Sequence, residues 1–139
     1  MNASTLYRLS SILLLLFAIG HTVGFSSVDP KWGVDNLVAS MKAIRFNANG
    51  SDRTYWDFFV GFGLFVSVLM VFAAVVAWQL GGLPPAILAQ VRIIAWGFVA
   101  CFVIVAWLSW RYFFAVPVVF SALVLVCLTA AAWMSGKTS

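Results

Sequence analysis

The segment RTYWDFFVGFGLF, residues 53–65, places one acidic side chain, Asp57, at the start of a long apolar run. Thr54 stands three residues before it, the spacing at which a hydroxyl and a carboxylate each accept a free backbone N–H at the start of a helix. A carboxylate there also meets the positive end of the helix dipole. The spacing therefore predicts a helix cap, and a second role for Asp57 depends on its neighbours.

His21 is the single histidine of the chain and lies in AIGHTVG with a glycine on either side. An imidazole exchanges protons near neutral pH, so His21 is a candidate proton carrier or acid–base group. The structural alternative is a hydrogen bond from the ring to a carbonyl or carboxylate at the helix end. One histidine without Cys, Asp or Glu at ligand spacing predicts no metal site, and a haem would need a second axial ligand from another copy.

Polar and aromatic side chains collect at one end of the apolar runs. His21 closes the first run, Tyr55 and Asp57 open the second, and Trp110 and Arg111 lie between the third and the fourth. Because a polar group is costly beside hydrocarbon unless it has a partner, these five are the candidate ligand-binding residues. We expect Asp57 both to cap its helix and to face Arg111 or His21.

The second run carries small residues at roughly helical spacing: Gly63, Ser67, Ala74 and Ala77. Such a stripe lets the backbone of another helix approach closely. Asp57 and Gly61 lie on an adjacent stripe, which predicts open space directly beneath the carboxylate. That space is the predicted pocket.

Composition decides the class of protein that must position these residues. Hydrophobic residues make up 64% of the 139, charged residues 9%, and the mean hydropathy is +1.06. A water-soluble surface cannot have this composition, so the chain is predicted to be a membrane protein. The apolar runs cover roughly residues 9–25, 55–80, 93–110 and 112–133. Since a span needs about 17–25 residues, we predict an all-α, single-domain bundle of four transmembrane helices over residues 1–139.

The loop at 26–54 is the one connection long enough to hold structure of its own. Apolar residues recur in it at helical spacing: Val34, Leu37, Val38, Met41 and Ile44. With polar residues on the other face, they predict a short amphipathic helix over about 34–46 that lies in the membrane interface or covers the bundle. The following FNANGSDRT is expected to form a polar turn.

Four spans place both termini on one side of the membrane. All four acids of the chain fall in the opposite flank, namely Asp29, Asp35, Asp52 and Asp57. Because a basic N-terminus ahead of a first helix usually stays inside, both termini are predicted to be cytoplasmic, in a cell membrane of bacterial inner-membrane type. Arg8 followed by a leucine-rich stretch also describes a signal peptide, but no A-x-A site follows, so a retained helix is favoured.

Several other chemistries are disfavoured. The basic residues are scattered along the chain, which argues against a nucleic-acid partner: Arg8, Lys31, Lys42, Arg45, Arg53, Arg92, Arg111 and Lys137. Cys101 and Cys127 lie inside predicted helices and are expected to be buried packing residues. GGLPP is expected to be a turn, and it lacks the Lys and Ser/Thr of a nucleotide loop. No cofactor is predicted, and no span carries the mid-membrane ionisable group of a proton-coupled transporter.

The segments GHTVG and YWDFFVGFGLFVSV resemble those of a group of small bacterial four-span integral membrane proteins. The resemblance covers about the first 80 residues and implies the four-span fold. It implies no activity.

These observations favour a non-catalytic function without deciding whether the protein is an enzyme. The leading interpretation is a binding or accessory protein that holds a small amphiphile, a lipid or a partner helix at the non-cytoplasmic bundle mouth. One alternative is a membrane-embedded enzyme in which His21 and Asp57 share proton transfer on a lipophilic substrate. The other is a structural subunit of a membrane complex. The expected partners are the lipid bilayer, a small amphiphilic ligand, and a second copy or another membrane protein.

Overall fold

The computed structural model describes residues 2–136. Lys137, one of the charges used above, and the two residues that follow it lie outside the described residues, as does Met1. Two short strands and six α-helices follow one another in the order α1 (Ala3–Ser26), α2 (Asp35–Ala43), β1 (Arg45–Ala48), β2 (Ser51–Thr54), α3 (Tyr55–Gly82), α4 (Pro85–Gln90), α5 (Arg92–Tyr112) and α6 (Ala115–Ser135). A 3-10 turn at Pro30–Trp32 precedes α2.

Four of these helices are long and apolar enough to cross a membrane, as predicted: Ala3–Phe25, Tyr55–Gly82, Arg92–Tyr112 and Ala115–Ser135. The first is longer than the apolar run that predicted it, because its polar start is also helical. Asn2 caps that start, its side-chain oxygen accepting from the Thr5 N–H at 2.9 Å and from the Thr5 hydroxyl at 2.8 Å. A capped polar turn extends the helix without apolar residues.

The connections between the last three helices differ from the prediction in detail. GGLPP was expected to be a turn, but Gly81 and Gly82 end α3, and only Leu83 and Pro84 connect it to the short helix α4. Pro85 is the first residue of α4, where a missing N–H costs nothing. Tyr112 ends α5 instead of opening the last span, because Phe113 and Phe114 are extended. Pro117 lies in the first turn of α6, where a proline is tolerated.

The loop helix is shorter than predicted, and a β-hairpin replaces the polar turn. Helix α2 ends at Ala43, and β1 pairs antiparallel with β2 from Arg45 opposite Thr54 to Ala48 opposite Ser51. The two residues between the strands, Asn49 and Gly50, have φ of 50° and 87°. Two positive φ angles match the turn that joins strands with the natural right-handed twist, and Asn-Gly is its most favoured sequence.

The described chain forms two compact units, and the first contains residues up to Phe17 together with those from Met70 onward. Here the start of α1 packs against the end of α3. The Ser11 hydroxyl donates to the Ala74 carbonyl at 2.7 Å, and the Ser4 hydroxyl donates to the Gly81 carbonyl. Ala74 and Ala77 are fully buried, so the small residues at this end of α3 are packed as predicted.

The core of this first unit consists of apolar side chains from α1, α3, α4, α5 and α6. Tyr7, Leu14 and Leu128 are among its fully buried members. Cys101 and Cys127 are free thiols within helices, but Cys101 is exposed, which corrects the prediction that both are buried. The next residue, Phe102, points into the core, and one step along a helix turns the preceding side chain about 100° away.

The second unit comprises residues 18–69, so it holds the end of α1, the α2 and hairpin segment, and the first half of α3. Gly63 of α3 lies directly against the Phe25 ring of α1, where a Cβ on Gly63 would be 2.7 Å from ring carbons. Ser67 is buried beside Thr22, whose hydroxyl donates to it at 2.7 Å. The predicted close approach at Gly63 and Ser67 is confirmed, and the approaching helix is α1.

A candidate ligand-binding groove

Asp57 is the acidic half of a capping box at the start of α3. Its Oδ2 accepts from the Thr54 N–H at 2.8 Å, and the Thr54 hydroxyl accepts from the Asp57 N–H at 3.1 Å. This is the predicted reciprocal cap. Asp57 is nevertheless exposed, and its Oδ1 has no hydrogen-bond partner among residues 2–136. One carboxylate oxygen therefore holds the helix start while the other is available to a ligand.

An open groove of about 270 Å³ lies beneath this carboxylate, lined by Arg53, Asp57, Phe58, Gly61, Phe62 and Phe65. The predicted space between Asp57 and Gly61 is thus present. Gly61 opens it, because no atom outside its immediate backbone neighbourhood lies within 4 Å of where its Cβ would be. The groove has charged groups at one end and phenylalanine rings along the helix, so its chemistry is amphiphilic.

The hairpin brings Arg53 to the groove, and this residue was not among the predicted ligand-binding residues. Arg53 is the penultimate residue of β2, and the hairpin is held by its ladder and by an exposed ion pair between Arg45 and Asp52 at 2.8 Å. The Phe46 ring of β1 packs 4.9 Å from Tyr55 and 5.9 Å from Phe58, centroid to centroid. These ring contacts attach the hairpin to α3. The Asn-Gly pair was the sequence signal that could have revealed the hairpin.

The three phenylalanines of the groove were also missed as site residues. Phe58, Phe62 and Phe65 lie at i, i+4 and i+7, so they form one stripe along α3. Their side chains are 40%, 65% and 68% exposed, and an apolar ligand or lipid tail can reach all three. The spacing was visible in the sequence, but the same pattern is typical of any lipid-facing helix.

Tyr55 and His21, two of the predicted ligand-binding residues, both lie outside the groove. Tyr55 is an exposed residue whose ring contacts Phe46, and it does not line the groove. His21 is half-buried on α1, with Nδ1 3.1 Å from the Ser67 hydroxyl and its ring 5.3 Å from that of Phe25. Ser67 lies ten residues beyond Asp57 on the same helix, which is about 15 Å of helix rise. The structure therefore brings His21 to Ser67 and not to Asp57.

The His21 contact belongs to a small polar cluster between α1 and α3. The Ser67 hydroxyl lies within bonding distance of His21, of the Thr22 hydroxyl and of the Gly63 carbonyl at 3.2 Å. The Thr22 hydroxyl also lies 2.8 Å from the Ala18 carbonyl, so its single proton is shared between that carbonyl and the Ser67 oxygen. The cluster satisfies polar groups that apolar surroundings would otherwise penalise, and it explains the position of His21 by helix packing.

Trp110 and Arg111 occupy the last turn of α5 in the first compact unit. Trp110 is 70% exposed, and the Arg111 guanidinium lies 5.2 Å from the centroid of the Tyr112 ring. A cation in the last turn is also favourable to the helix dipole. The pairing of Arg111 with Asp57 stays a prediction. Within its own unit, the cation that shares the groove with Asp57 is Arg53.

Among residues 2–136, no three His, Cys, Asp or Glu side chains are grouped so that they could hold a metal ion. The charged groups at the groove are one carboxylate, which accepts hydrogen bonds, and one guanidinium, which donates them. This pair is suited to charged or hydrogen-bonding headgroups.

Comparison with known proteins found no family model, curated protein or solved structure that matches this chain.

Proposed function

We propose that this chain is a multi-pass protein of a bacterial inner membrane that binds an amphiphile in the groove beneath Asp57. Its four long helices form a bundle with both termini in the cytoplasm, and the groove opens at the non-cytoplasmic face. The observation that carries the proposal is the composition of the groove: Arg53 and Asp57 lie at one end, and phenylalanines line the rest of it.

The depth of the groove supports an amphiphilic occupant. Helix α3 has 28 residues and rises about 42 Å, more than the roughly 30 Å of hydrocarbon, so its first turn falls at headgroup level. Asp57 is the third residue of the helix. Phe62 and Phe65 lie about 7.5 and 12 Å deeper along the axis, where lipid tails begin. A headgroup at Asp57 would therefore have its chain beside these rings.

Helix α2 is proposed to lie in the membrane interface next to the groove. Val38 and Met41 are half-buried, and the Lys42 ammonium lies 4.4 Å from the centroid of the Trp56 ring of α3. We expect cysteines at Leu37, Val38 and Met41 to be protected from a water-soluble thiol reagent and those at Asn36 and Lys42 to react. Equal labelling at all five positions would rule out the interfacial placement.

Binding is proposed in preference to catalysis because the two predicted acid–base groups are far apart. About 15 Å of helix separates Asp57 from Ser67, which His21 contacts, and direct proton transfer needs hydrogen-bond distance. The groove contains Asp57 but neither His21 nor another nucleophilic side chain.

Native mass spectrometry after extraction in a mild detergent tests the proposal. The wild type should retain an amphiphile, and Gly61→Leu should lose it because leucine fills the groove from a position with no packed neighbour. Gly97→Leu is the matched control, since Gly97 is an exposed glycine in α5 with the same free space around its Cβ. Equal retention by both variants would place the ligand elsewhere. A wild type that retains none would favour a structural subunit.

A further inference from the structure

We infer that the amphiphile is a phospholipid whose headgroup carries both a phosphate and a primary ammonium group. This inference rests on the proposed binding function and specifies its ligand. It follows from the opposite charges of Arg53 and Asp57, from the hydrogen-bonding positions that these two side chains leave open to a ligand, and from the Lys42 ammonium on the nearby Trp56 ring.

Arg53 and Asp57 carry opposite charges at one groove, yet they are not an ion pair. The ion pair on this surface joins Arg45 to Asp52, with 2.8 Å between nitrogen and oxygen. Arg53 uses one nitrogen to donate to the backbone carbonyl of Asp52 at 2.8 Å, and the other N–H donors of its guanidinium have no partner among residues 2–136. Asp57 uses Oδ2 in the helix cap and keeps Oδ1. The groove therefore presents one cationic donor and one anionic acceptor side by side.

This arrangement selects a headgroup with both signs of charge. A guanidinium binds phosphate oxygens through two N–H groups at once, and a carboxylate binds an ammonium through a charge-assisted hydrogen bond. A purely anionic headgroup would meet the Asp57 carboxylate, and a purely cationic one would meet Arg53. Each would leave one charge of the groove unsatisfied or repelled, whereas a zwitterion satisfies both.

The available acceptor also distinguishes a primary from a quaternary ammonium. The Asp57 Oδ1 can accept an N–H, which a quaternary nitrogen lacks. Proteins bind quaternary ammonium on aromatic faces, most favourably on tryptophan. Trp56, next to the groove residues, already holds the Lys42 ammonium 4.4 Å from its ring centroid, and the Phe58 ring at the head of the groove stacks on Phe46 at 5.9 Å between centroids. Phe62 and Phe65 lie deeper along α3, beside the acyl chain and not the headgroup. The groove thus favours an ethanolamine-type head over a choline-type head.

The apolar part of the groove fits the chain of such a lipid. Phe58, Phe62 and Phe65 line it along α3, and Gly61 leaves room between them for an acyl chain. A second cavity, on α6 between Leu125 and Met134, has no charged residue in its lining and therefore offers no charged contact to a headgroup.

The test is competition among headgroups. Delipidated full-length protein is incubated in mixed micelles with equimolar phosphatidylethanolamine, phosphatidylcholine and phosphatidylglycerol of the same acyl chains, and bound lipid is identified by native mass spectrometry. One charge-assisted hydrogen bond corresponds to about tenfold in affinity or more, so phosphatidylethanolamine should exceed each of the other two by about that factor.

Two variants with matched controls locate the preference. Asp57→Asn should abolish the discrimination between ethanolamine and choline heads while the protein still binds phospholipid. Arg53→Gln should weaken all three lipids by about tenfold. Asp35→Asn and Lys31→Gln change equally exposed charges outside the groove and should leave the preference intact.

The outcomes separate this inference from the function on which it rests. Binding without a preference for phosphatidylethanolamine, or a preference that survives Asp57→Asn, would overturn the headgroup assignment while the groove could still be the binding site. Equal occupancy of Gly61→Leu and the wild type by all three lipids would overturn the groove itself.

Discussion

Gly61 and Gly63 lie two residues apart on α3, and the structure predicts opposite responses to the same substitution. The Cβ of an alanine at Gly63 would be 2.7 Å from ring carbons of Phe25, closer than real Cβ contacts come. The Cβ of an alanine at Gly61 would enter open space. Both changes add the same methyl group to the same helix, so the difference between them isolates the contact with Phe25.

The expected magnitudes follow from this geometry. Replacing glycine by alanine inside a helix stabilises it by about 0.5–1 kcal/mol, a gain common to both positions. Overpacking a closely packed contact costs about 1–3 kcal/mol. A movement of the Phe25 ring away from Gly63 would disturb its contacts with two other rings, since its centroid lies 5.3 Å from that of His21 and 6.2 Å from that of Phe59. Gly63→Ala should therefore be less stable than Gly61→Ala by about 1–3 kcal/mol.

The assay is the free energy of unfolding, obtained by titrating a denaturing detergent into mixed micelles and following tryptophan fluorescence. The same pair of substitutions is then repeated with Phe25→Ala, which removes the ring and should bring the two variants within about 0.5 kcal/mol of each other. Equal stabilities of Gly61→Ala and Gly63→Ala in the wild-type background would refute the close packing of α1 on α3 at Gly63. A cost of Gly63→Ala that persists without the ring would refute Phe25 as its cause.

Three other predictions concern topology, the cap and the charge partner. A cysteine at Asn49 should react with an impermeant reagent in intact cells, and one at Gly82 only after permeabilisation; the reverse pattern would invert the topology. Thr54→Val should destabilise α3 by about 1 kcal/mol, and Asp57→Asn should destabilise it by less, because the amide oxygen of asparagine can still accept from the Thr54 N–H. Thermal unfolding in detergent measures both variants. An equal or larger loss of stability in Asp57→Asn would show that the charge of Asp57 has a further role. If Asp57 faces Arg111, the changes Asp57→Asn and Arg111→Gln should couple by at least about 0.5 kcal/mol in a double-mutant cycle, whereas additive effects would exclude that pairing.

Local patterns predicted the helices and the cap well. Hydropathy along the chain located four helices that are long and apolar enough to span a membrane, because a run of about 20 apolar residues is a property of one segment by itself. The Thr54–Asp57 box was predictable for the same reason, since its two partners are three residues apart. The space beneath Asp57 follows from Gly61 one turn later on the same helix.

The hairpin is the element that the sequence pattern did not predict. Residues 45–54 were expected to be the end of a helix and a polar turn, because the apolar pattern of the loop helix runs to Ile44 and FNANGSDRT is rich in polar residues. The positive φ angles of Asn49 and Gly50 instead reverse the chain and pair the two strands. Local turn chemistry outweighed a weak helical periodicity at this point, and the missed hairpin is the reason Arg53 was not among the expected site residues.

By itself, the sequence determined the four long apolar helices, the capped start of α3 and the open stripe beneath Asp57, since each depends on residues within a single continuous segment. Only the tertiary structure decided which side chains share a site. It paired His21 with Ser67, 46 positions away, and set Phe25 against Gly63 while Gly61 stayed open. Two glycines in the same segment look equivalent to any local pattern. What separates them is the neighbouring helix, and contacts between segments distant in sequence depend on how whole helix faces pack.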